Sequence, residues 1–344
     1  MIPYQRAEVS FKKIQEIGPD GQNSKVYIVH DEHLDAELVI KEIDKAEGFS
    51  KNDFFEEARN LYSSSHPNVV QISYACEDVD KIYLASPYYS NGSLKDIMRS
   101  RYLTAREIIR YSTHILNGLH NVHSKGLIHF DIKPDNILIS DRNEALVSDF
   151  GLTKATNALG EAVQKKLYVK QYPIEVFRGT HTYDYRFDIY QIGLLMYRMC
   201  VGDNEFDEQY KMKVNSWDDF VEVLSKKSFP DRKAYPKHIP KKLQTIINKC
   251  LNPDILLRYQ SCIEIVNAMS DIDGPILDWL YSKENEVEIW KETQKESPKV
   301  IKLCNNETCE AFIEYADGKT RRITALCKDN IKGKEVISFL ENGK

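Results

Sequence analysis

Along the first third of the chain, apolar and polar positions alternate in short runs. Phe11–Ile17, Lys25–His30 and Glu37–Ile43 hold alternating or β-branched residues between Gly and Asp turns, which predicts three strands. The period then changes over Asn52–Ser64, where a capping Asn precedes Phe54, Phe55, Ala58 and Leu61 at helical spacing. Val69–Glu77 and Lys81–Ser86 return to strand character. After Asn91-Gly92 the spacing is helical over Ser93–Ser100, Thr104–Lys125, Phe187–Val201, Trp217–Lys226 and Lys241–Cys250. The pattern predicts an α+β molecule with a β-rich small lobe over residues 1–87 and a helical large lobe over 88–272, hinged near Pro87–Asn91. Residues 273–297, with Trp279 and Trp290 among many charges, read as a helical linker. Lys299–Leu303, Cys309–Tyr315 and Lys319–Leu326 read as strands and Ile331–Leu340 as a closing helix, a small β-plus-helix appendage over 298–344. Such a unit is marginal as an independent fold.

Composition changes this picture little. The 344 residues are 42% hydrophobic and 29% charged with net charge −5, an ordinary globular balance without a basic field for nucleic acid or an anionic membrane. No apolar run reaches bilayer length and the first residues lack a secretory apolar stretch. Seven scattered cysteines point to reduced thiols in a cytoplasmic setting. Cys304, Cys309 and Cys327 cluster, but zinc would need a fourth ligand and no His follows His238.

Chemistry concentrates in two segments, His129-Phe130-Asp131-Ile132-Lys133-Pro134-Asp135-Asn136 and Asp149-Phe150-Gly151. Together they resemble the catalytic loop and metal-binding triplet of eukaryotic-type protein kinases, most closely the serine/threonine branch. Either segment alone says little; both together, with Lys133 and Pro134 in place, are specific. The resemblance covers roughly residues 8–272 and implies the bilobal protein-kinase fold, with transfer of the γ-phosphate of Mg·ATP to hydroxyl groups of protein substrates. It implies Asp131 as the residue that orients the acceptor hydroxyl and Lys133 as a charge beside the γ-phosphate. Asn136 and Asp149 are implied as Mg²⁺ ligands. Lys41, closing the strand Leu38-Val39-Ile40-Lys41, is implied to hold the α- and β-phosphates, with Glu57 fixing its rotamer. Taken alone, Lys41 and Glu57 would be two surface charges. Glu175 in Tyr172-Pro173-Ile174-Glu175 is implied to pair with Arg258, and Asp188 to brace the catalytic loop.

The nucleotide pocket implied by the resemblance takes Gly18, Gly21 and Ser24 as phosphate lid, and Val26, Val39 and Leu138 as apolar walls. Pro87 and Tyr89 supply the carbonyl and N–H facing adenine, Ser93 borders the site, and Ser86 guards the back of the pocket. The lid is modified: it has two glycines where the family has three, with Ser24 in the third place and Pro19 lacking an N–H. Phe130 replaces the Arg that in the family receives an activation-segment phosphate, and no Ser or Thr lies between Asn157 and Pro173. Activity independent of activation-loop phosphorylation is therefore expected. Tyr168 stands where the serine/threonine branch carries a Thr, while Lys133 still favours Ser/Thr acceptors. Two other readings compete. A pseudokinase would lose one of Lys41, Asp131 and Asp149, and all three are retained. Small-molecule phosphotransferases share a His-x-Asp core but generally lack the Lys133-Pro134 pair and the Glu175 and Arg258 features.

Overall fold

A computed structural model describes residues 8–21, 24–45, 55–293, 295–305 and 308–342. The alternating segments of the first third form β1 (Phe11–Gly21), β2 (Ser24–Asp31), β3 (Ala36–Asp44), β4 (Tyr74–Glu77) and β5 (Lys81–Pro87), an antiparallel sheet ordered β1-β2-β3-β5-β4. Val29, Leu38, Ile40 and Ala85 point to one face, which Phe11, Tyr27, Tyr74 and Tyr83 help to cover. Ile82 and Leu84 point to the other, where Ala58 of α1 (Glu56–Ser63) packs on them. The expected helix start at Asn52, with Phe54, lies outside the described residues. Only Tyr74–Glu77 of the expected Val69–Glu77 strand is extended into the sheet. Val69 and Val70 instead cross to the large lobe, where Val70 N–H donates to the Val147 carbonyl at 2.9 Å.

The large lobe is built on two helices. In α3 (Ala105–Ser124) a capping box joins Thr104 and Glu107, and Ile108, Tyr111, Ile115, Leu119 and Val122 form the buried stripe that the spacing predicted. Gly118 is required there, because a Cβ would stand 2.5 Å from the Asn68 carbonyl oxygen. In α4 (Arg186–Val201) every side chain from Phe187 to Val201 is buried, so this helix runs through the middle of the lobe. Around it lie α2 (Leu94–Ser100), α5 (Asp203–Lys213), α6 (Trp217–Ser225), α7 (Lys241–Cys250) and α8 (Cys262–Met269). α5 and α8 go beyond the helices expected. Short hairpins complete the lobe: β7 (Ile137–Ile139) with β8 (Ala145–Val147), β6 (Leu127–Ile128) with β9 (Lys154–Ala155), and β10 (Ala162–Val163) with β11 (Thr182–Tyr183).

α4 carries one polar anchor. The Asp188 carboxylate, fully buried, accepts from the His129 N–H (Oδ2, 2.9 Å) and the Phe130 N–H (Oδ1, 2.9 Å), and pairs with His123 Nε2 at 2.8 Å. Gln191, three residues on and on the same helix face, accepts from Ile132 N–H at 3.0 Å and donates to the Phe130 carbonyl at 2.9 Å. Four consecutive peptide groups, from 128–129 to 131–132, are thus tied to one helix. Phe130 has φ 68, a costly conformation for a bulky residue, and these bonds hold it there.

The C-terminal region corrects the expected boundary. Residues 273–297 are not a helical linker: a 3₁₀ turn at Pro275–Asp278 leads into β12 (Trp279–Glu284) and β13 (Val287–Glu292). Trp279, Tyr281 and Trp290 lie on one face at period two, which they share with Lys283, Glu288 and Glu292, while Glu284 and Glu286 lie at the turn and Lys291 falls on the opposite face with Leu280 and Ile289. Asn285 takes the left-handed turn conformation at φ 54. With β14 (Lys299–Cys304), β15 (Thr308–Glu314) and β16 (Thr320–Arg322) these form a five-stranded antiparallel meander closed by α9 (Gly333–Asn342). Its core includes Ala105 of α3, with Tyr102 and Ile109 packed against it. Arg106 grips Asp278 through two bonds of 2.5 and 2.9 Å. Trp290 Nε1–H donates to His238 Nδ1 at 3.3 Å, and Tyr281 stacks on the same imidazole. Among the described residues no cluster of three or more His, Cys, Asp or Glu could hold a metal ion, and no helix is long and apolar enough to cross a membrane.

Two predictions follow from these buried polar groups. Asp188→Ala strips the acceptor from two buried backbone N–H groups and should lower unfolding free energy by about 3 kcal/mol or more, read from denaturant midpoints; an unchanged midpoint would refute the anchoring role. Burial pushes His238 down to about 3. The unfolded imidazole titrates at about 6.5, so between these values only the unfolded chain binds the proton. Stability from this residue is complete above about pH 6.5 and falls as pH drops, by about 2 kcal/mol at pH 5. Melting curves at pH 7.5 and pH 5 should therefore diverge more in wild type than in His238→Gln, which keeps an acceptor but does not titrate.

Candidate active site

The interlobe site is assembled from three elements that meet around one ammonium group. Lys41, near the end of β3, bonds both oxygens of Glu57 on α1 at 2.8 and 3.0 Å, and Asp149 Oδ1 at 3.1 Å. Burial alone would lower the Lys41 pKa, but the carboxylates of Glu57 and Asp149 raise it above its ordinary value. The ammonium therefore stays charged. Conversely, Lys41 overcomes the effect of burial at Asp149 and holds that carboxyl below its usual range. The Asp149 side chain remains 44% exposed, so part of it is available to a cation. Its backbone has φ 58. Gly151 follows where a Cβ would crowd Asp149 Oδ1 at 3.3 Å and both Glu57 and Lys41 at 3.6 Å. Phe150 turns the other way, 1% exposed, with its ring edge-on to His129 at 4.9 Å.

The 129–136 loop presents the second half. Asp131 Oδ2 accepts from Lys133 Nζ at 2.7 Å and from Asn136 Nδ2 at 2.8 Å. Asp131 Oδ1 is buried and has no hydrogen-bond partner among the described residues. Asn136 spends its amide N–H groups on the Asp131 carbonyl and carboxylate, which leaves its amide oxygen as the atom able to meet a cation. His129 is neutral, its pKa lowered by burial, so Nδ1 accepts from the Asp131 N–H and Nε2–H donates to the Ser148 carbonyl at 3.1 Å. That tautomer further fixes the backbone beneath Asp131.

The residues expected to line a nucleotide pocket lie around this centre. Val26 pairs across the sheet with Lys41, and Val39 with Ser86. Pro87 ends β5 opposite Leu38, and Tyr89 follows in the hinge. Leu138 of β7 bridges to Ser93. The Ser93 hydroxyl is already committed to capping α2, donating to Asp96 Oδ2 at 2.6 Å. In the lid, Gly18 has φ 81 and open space where a Cβ would be, and Gly21 pairs with Ser24 to close the β1–β2 hairpin.

Three features escape sequence reasoning. Gln191 holds the loop, and its only sequence mark is the three-residue offset from Asp188. Tyr168 lays its ring face on Lys133, with Nζ 4.7 Å from the centroid. Phe130 is fully buried against Phe187 and Tyr183, with ring centroids at 5.1 and 6.0 Å, beside Ala162, Leu167 and Val176 of the activation segment. That segment is closed by the buried Glu175–Arg258 pair, bidentate at 2.7 Å through both oxygens.

Comparison with known proteins agrees with this geometry. A family model for the protein kinase domain matches residues 11–269. A probable serine/threonine-protein kinase of Clostridium perfringens is 28% identical over 270 residues, which is 76% of this chain and 38% of that protein. The probable serine/threonine-protein kinase PknB of Lactococcus lactis is 28% identical over 273 residues, 76% of this chain and 41% of its own length. A probable serine/threonine-protein kinase of Dictyostelium discoideum reaches 31% over 185 residues, 52% of this chain and 28% of its own length. The chain thus spans about two fifths or less of the length of these relatives. The match runs through both lobes and every segment of the site, and the chain belongs to the eukaryotic-type protein kinase family, with its kinase domain at residues 11–269.

Proposed function

We propose that this protein transfers the γ-phosphate of Mg·ATP to Ser or Thr hydroxyls of other proteins. The observation that carries this reading is the buried, unpartnered Oδ1 of Asp131, whose twin oxygen is pinned by Lys133 and Asn136. A buried carboxylate oxygen without a donor is expensive to maintain, and a substrate hydroxyl satisfies it. Asp131 then accepts the hydroxyl hydrogen bond, aligns the oxygen lone pair and receives the proton as the hydroxyl reacts. Lys133 lies within 2.7 Å of the same carboxylate and offsets negative charge that develops there. The donor set suits the nucleotide. Asp149 and the Asn136 oxygen are hard oxygen donors, too few for an all-protein cage and appropriate to Mg²⁺ that takes its remaining ligands from phosphates and water. Lys41, kept charged by Glu57, meets phosphate oxygens. When bound, Mg·ATP supplies the phosphoryl group and the cation that neutralises it.

The activation segment has an apolar anchor. In place of a guanidinium at position 130, the rings of Phe130, Tyr183 and Phe187 bury together and draw in Ala162, Leu167 and Val176. Burying such side chains contributes about 1.5–3 kcal/mol each without any charged modification. This supports a kinase whose active arrangement does not wait for a phosphate on the segment.

Incubation with labelled Mg·ATP and a generic protein acceptor should give transfer that falls at least ~100-fold in Asp131→Asn and in Asp149→Ala, with unchanged circular dichroism. Near-normal turnover in a folded Asp149→Ala protein would remove the metal assignment. Treatment with phosphatases, one of them active on phosphotyrosine, should leave the wild-type rate intact. A large drop restored by rephosphorylating Tyr168 or Tyr172 would overturn the phosphate-independent anchor.

A further inference from the structure

A cavity of about 190 Å³ opens beside Lys133, between α2, the catalytic loop, the activation segment and the α4–α5 junction. Its lining is dominated by cations. Lys95 and Arg99 enter from α2, Lys170 from the activation segment and Arg198 from the end of α4, while Lys133 forms the wall shared with the acceptor site. Three carboxylates share the lining, and each is already held by one of these cations: Lys95–Asp135 at 2.5 Å, Lys170–Asp207 at 2.6 Å and Arg198–Asp203 at 2.6 Å. Lys133 is held by Asp131. Arg99 is exposed and makes no hydrogen bond or ion pair with the described residues. Asp96, on its own helix, feels its charge.

These pairs are not equivalent. Arg198 and Asp203 are each 9% exposed and belong to the framework. Asp135 and Asp207 are 38% and 40% exposed, so Lys95 and Lys170 can turn to another anion at little cost. One cation is therefore unpaired and two are only loosely paired, around a water-sized to side-chain-sized space next to the acceptor position. A Lys or Arg entering there would meet like charges from several directions.

We propose that this cavity receives an anionic side chain of the protein substrate, a carboxylate or a phosphorylated residue, so that the kinase selects hydroxyls in acidic or already phosphorylated sequence. The proposal rests on the protein-kinase reading above and names the substrate class for it. An extended peptide advances about 3.3 Å per residue, so with Lys133 common to both sites the selected anion lies within about four residues of the acceptor. Arg99, Lys95 and Lys170 are then specificity residues, and Lys133 keeps its place beside Asp131.

The test uses the full chain, Mg·ATP and serine-acceptor peptides in which single positions on either side of the acceptor carry Glu, phosphoserine, Gln or Arg. At one position Glu or phosphoserine should raise kcat/KM about tenfold over Gln, mostly through KM, as one charge-assisted contact provides, and Arg should lower it. Comparing Glu with phosphoserine identifies which anion the cavity fits better. Arg99→Glu should reverse the order of Glu and Arg while leaving the rate on the all-neutral peptide unchanged. Anisotropy measurements with labelled acidic and neutral peptides on Asp131→Asn protein read the same preference without turnover. Equal binding and equal kcat/KM for acidic and neutral peptides would overturn the proposal, as would a preference that survives Arg99→Glu. Transfer without acid preference sinks this inference alone; acid-selective binding with no transfer to any peptide sinks the kinase reading instead.

Discussion

The whole site hangs on one buried carboxylate. Asp188 sits on a helix with no exposed face, and its two oxygens receive two successive backbone N–H groups of a loop that would otherwise have no regular partner. A carboxylate that accepts backbone donors stays ionised even when fully desolvated, and here those bonds and His123 hold its pKa down against burial. Because the acceptor is rigid, the loop is rigid. Asp131 can then keep one oxygen bonded and one unpartnered inside the protein. That arrangement is unstable in isolation and persists only where the surroundings over-determine it.

The second constraint is charge placement across the lobes. Lys41, Glu57 and Asp149 come from a strand, a helix and a loop of the other lobe, and the distances of about 3 Å from Lys41 to both carboxylates require all three elements to be in register. One ammonium between two carboxylates leaves the cluster with excess negative charge, and Asp149 is partly open to solvent. In the proposed function a divalent cation completes this group. Against this, the activation segment is held mainly by rings and by the Glu175–Arg258 bond, so its order depends on apolar burial more than on ionic strength.

The C-terminal meander is an extension of the large lobe's core. Trp279, Tyr281 and Trp290 face α3 and His238 rather than solvent, and Ala105 belongs to their cluster. A sheet of this size gains its stability by sharing a core with its neighbour. Its contact lies along α3, which on its other face packs against α4 and the catalytic-loop scaffold, so the appendage braces the helix that backs the site.

Much of this was legible in residue order. Period-two runs marked the small-lobe strands, 3.6-residue spacing marked α3, α4, α6 and α7, and the two segments holding Asp131, Lys133, Asn136 and Asp149 carried the family resemblance. The connector at 273–297 misled for a physical reason: charges fall on both faces of its hairpin, with Lys283, Glu288 and Glu292 on the aromatic face and Lys291 on the other, so neither face reads as an uninterrupted apolar stripe. Helix α5 hides its dependence on packing, since its buried Phe206 and Gln209 are few and its surface is polar. Local composition determined which residues could do chemistry and which segments could be strands or helices. Only the tertiary structure decided that Gln191 would hold the loop, that Tyr168 would lie on Lys133, that Phe130 would bury against Tyr183 and Phe187, and that cations from four separate elements would meet around one cavity beside Lys133. Those are long-range contacts, fixed by where helices and loops pack, and no spacing along the chain encodes them.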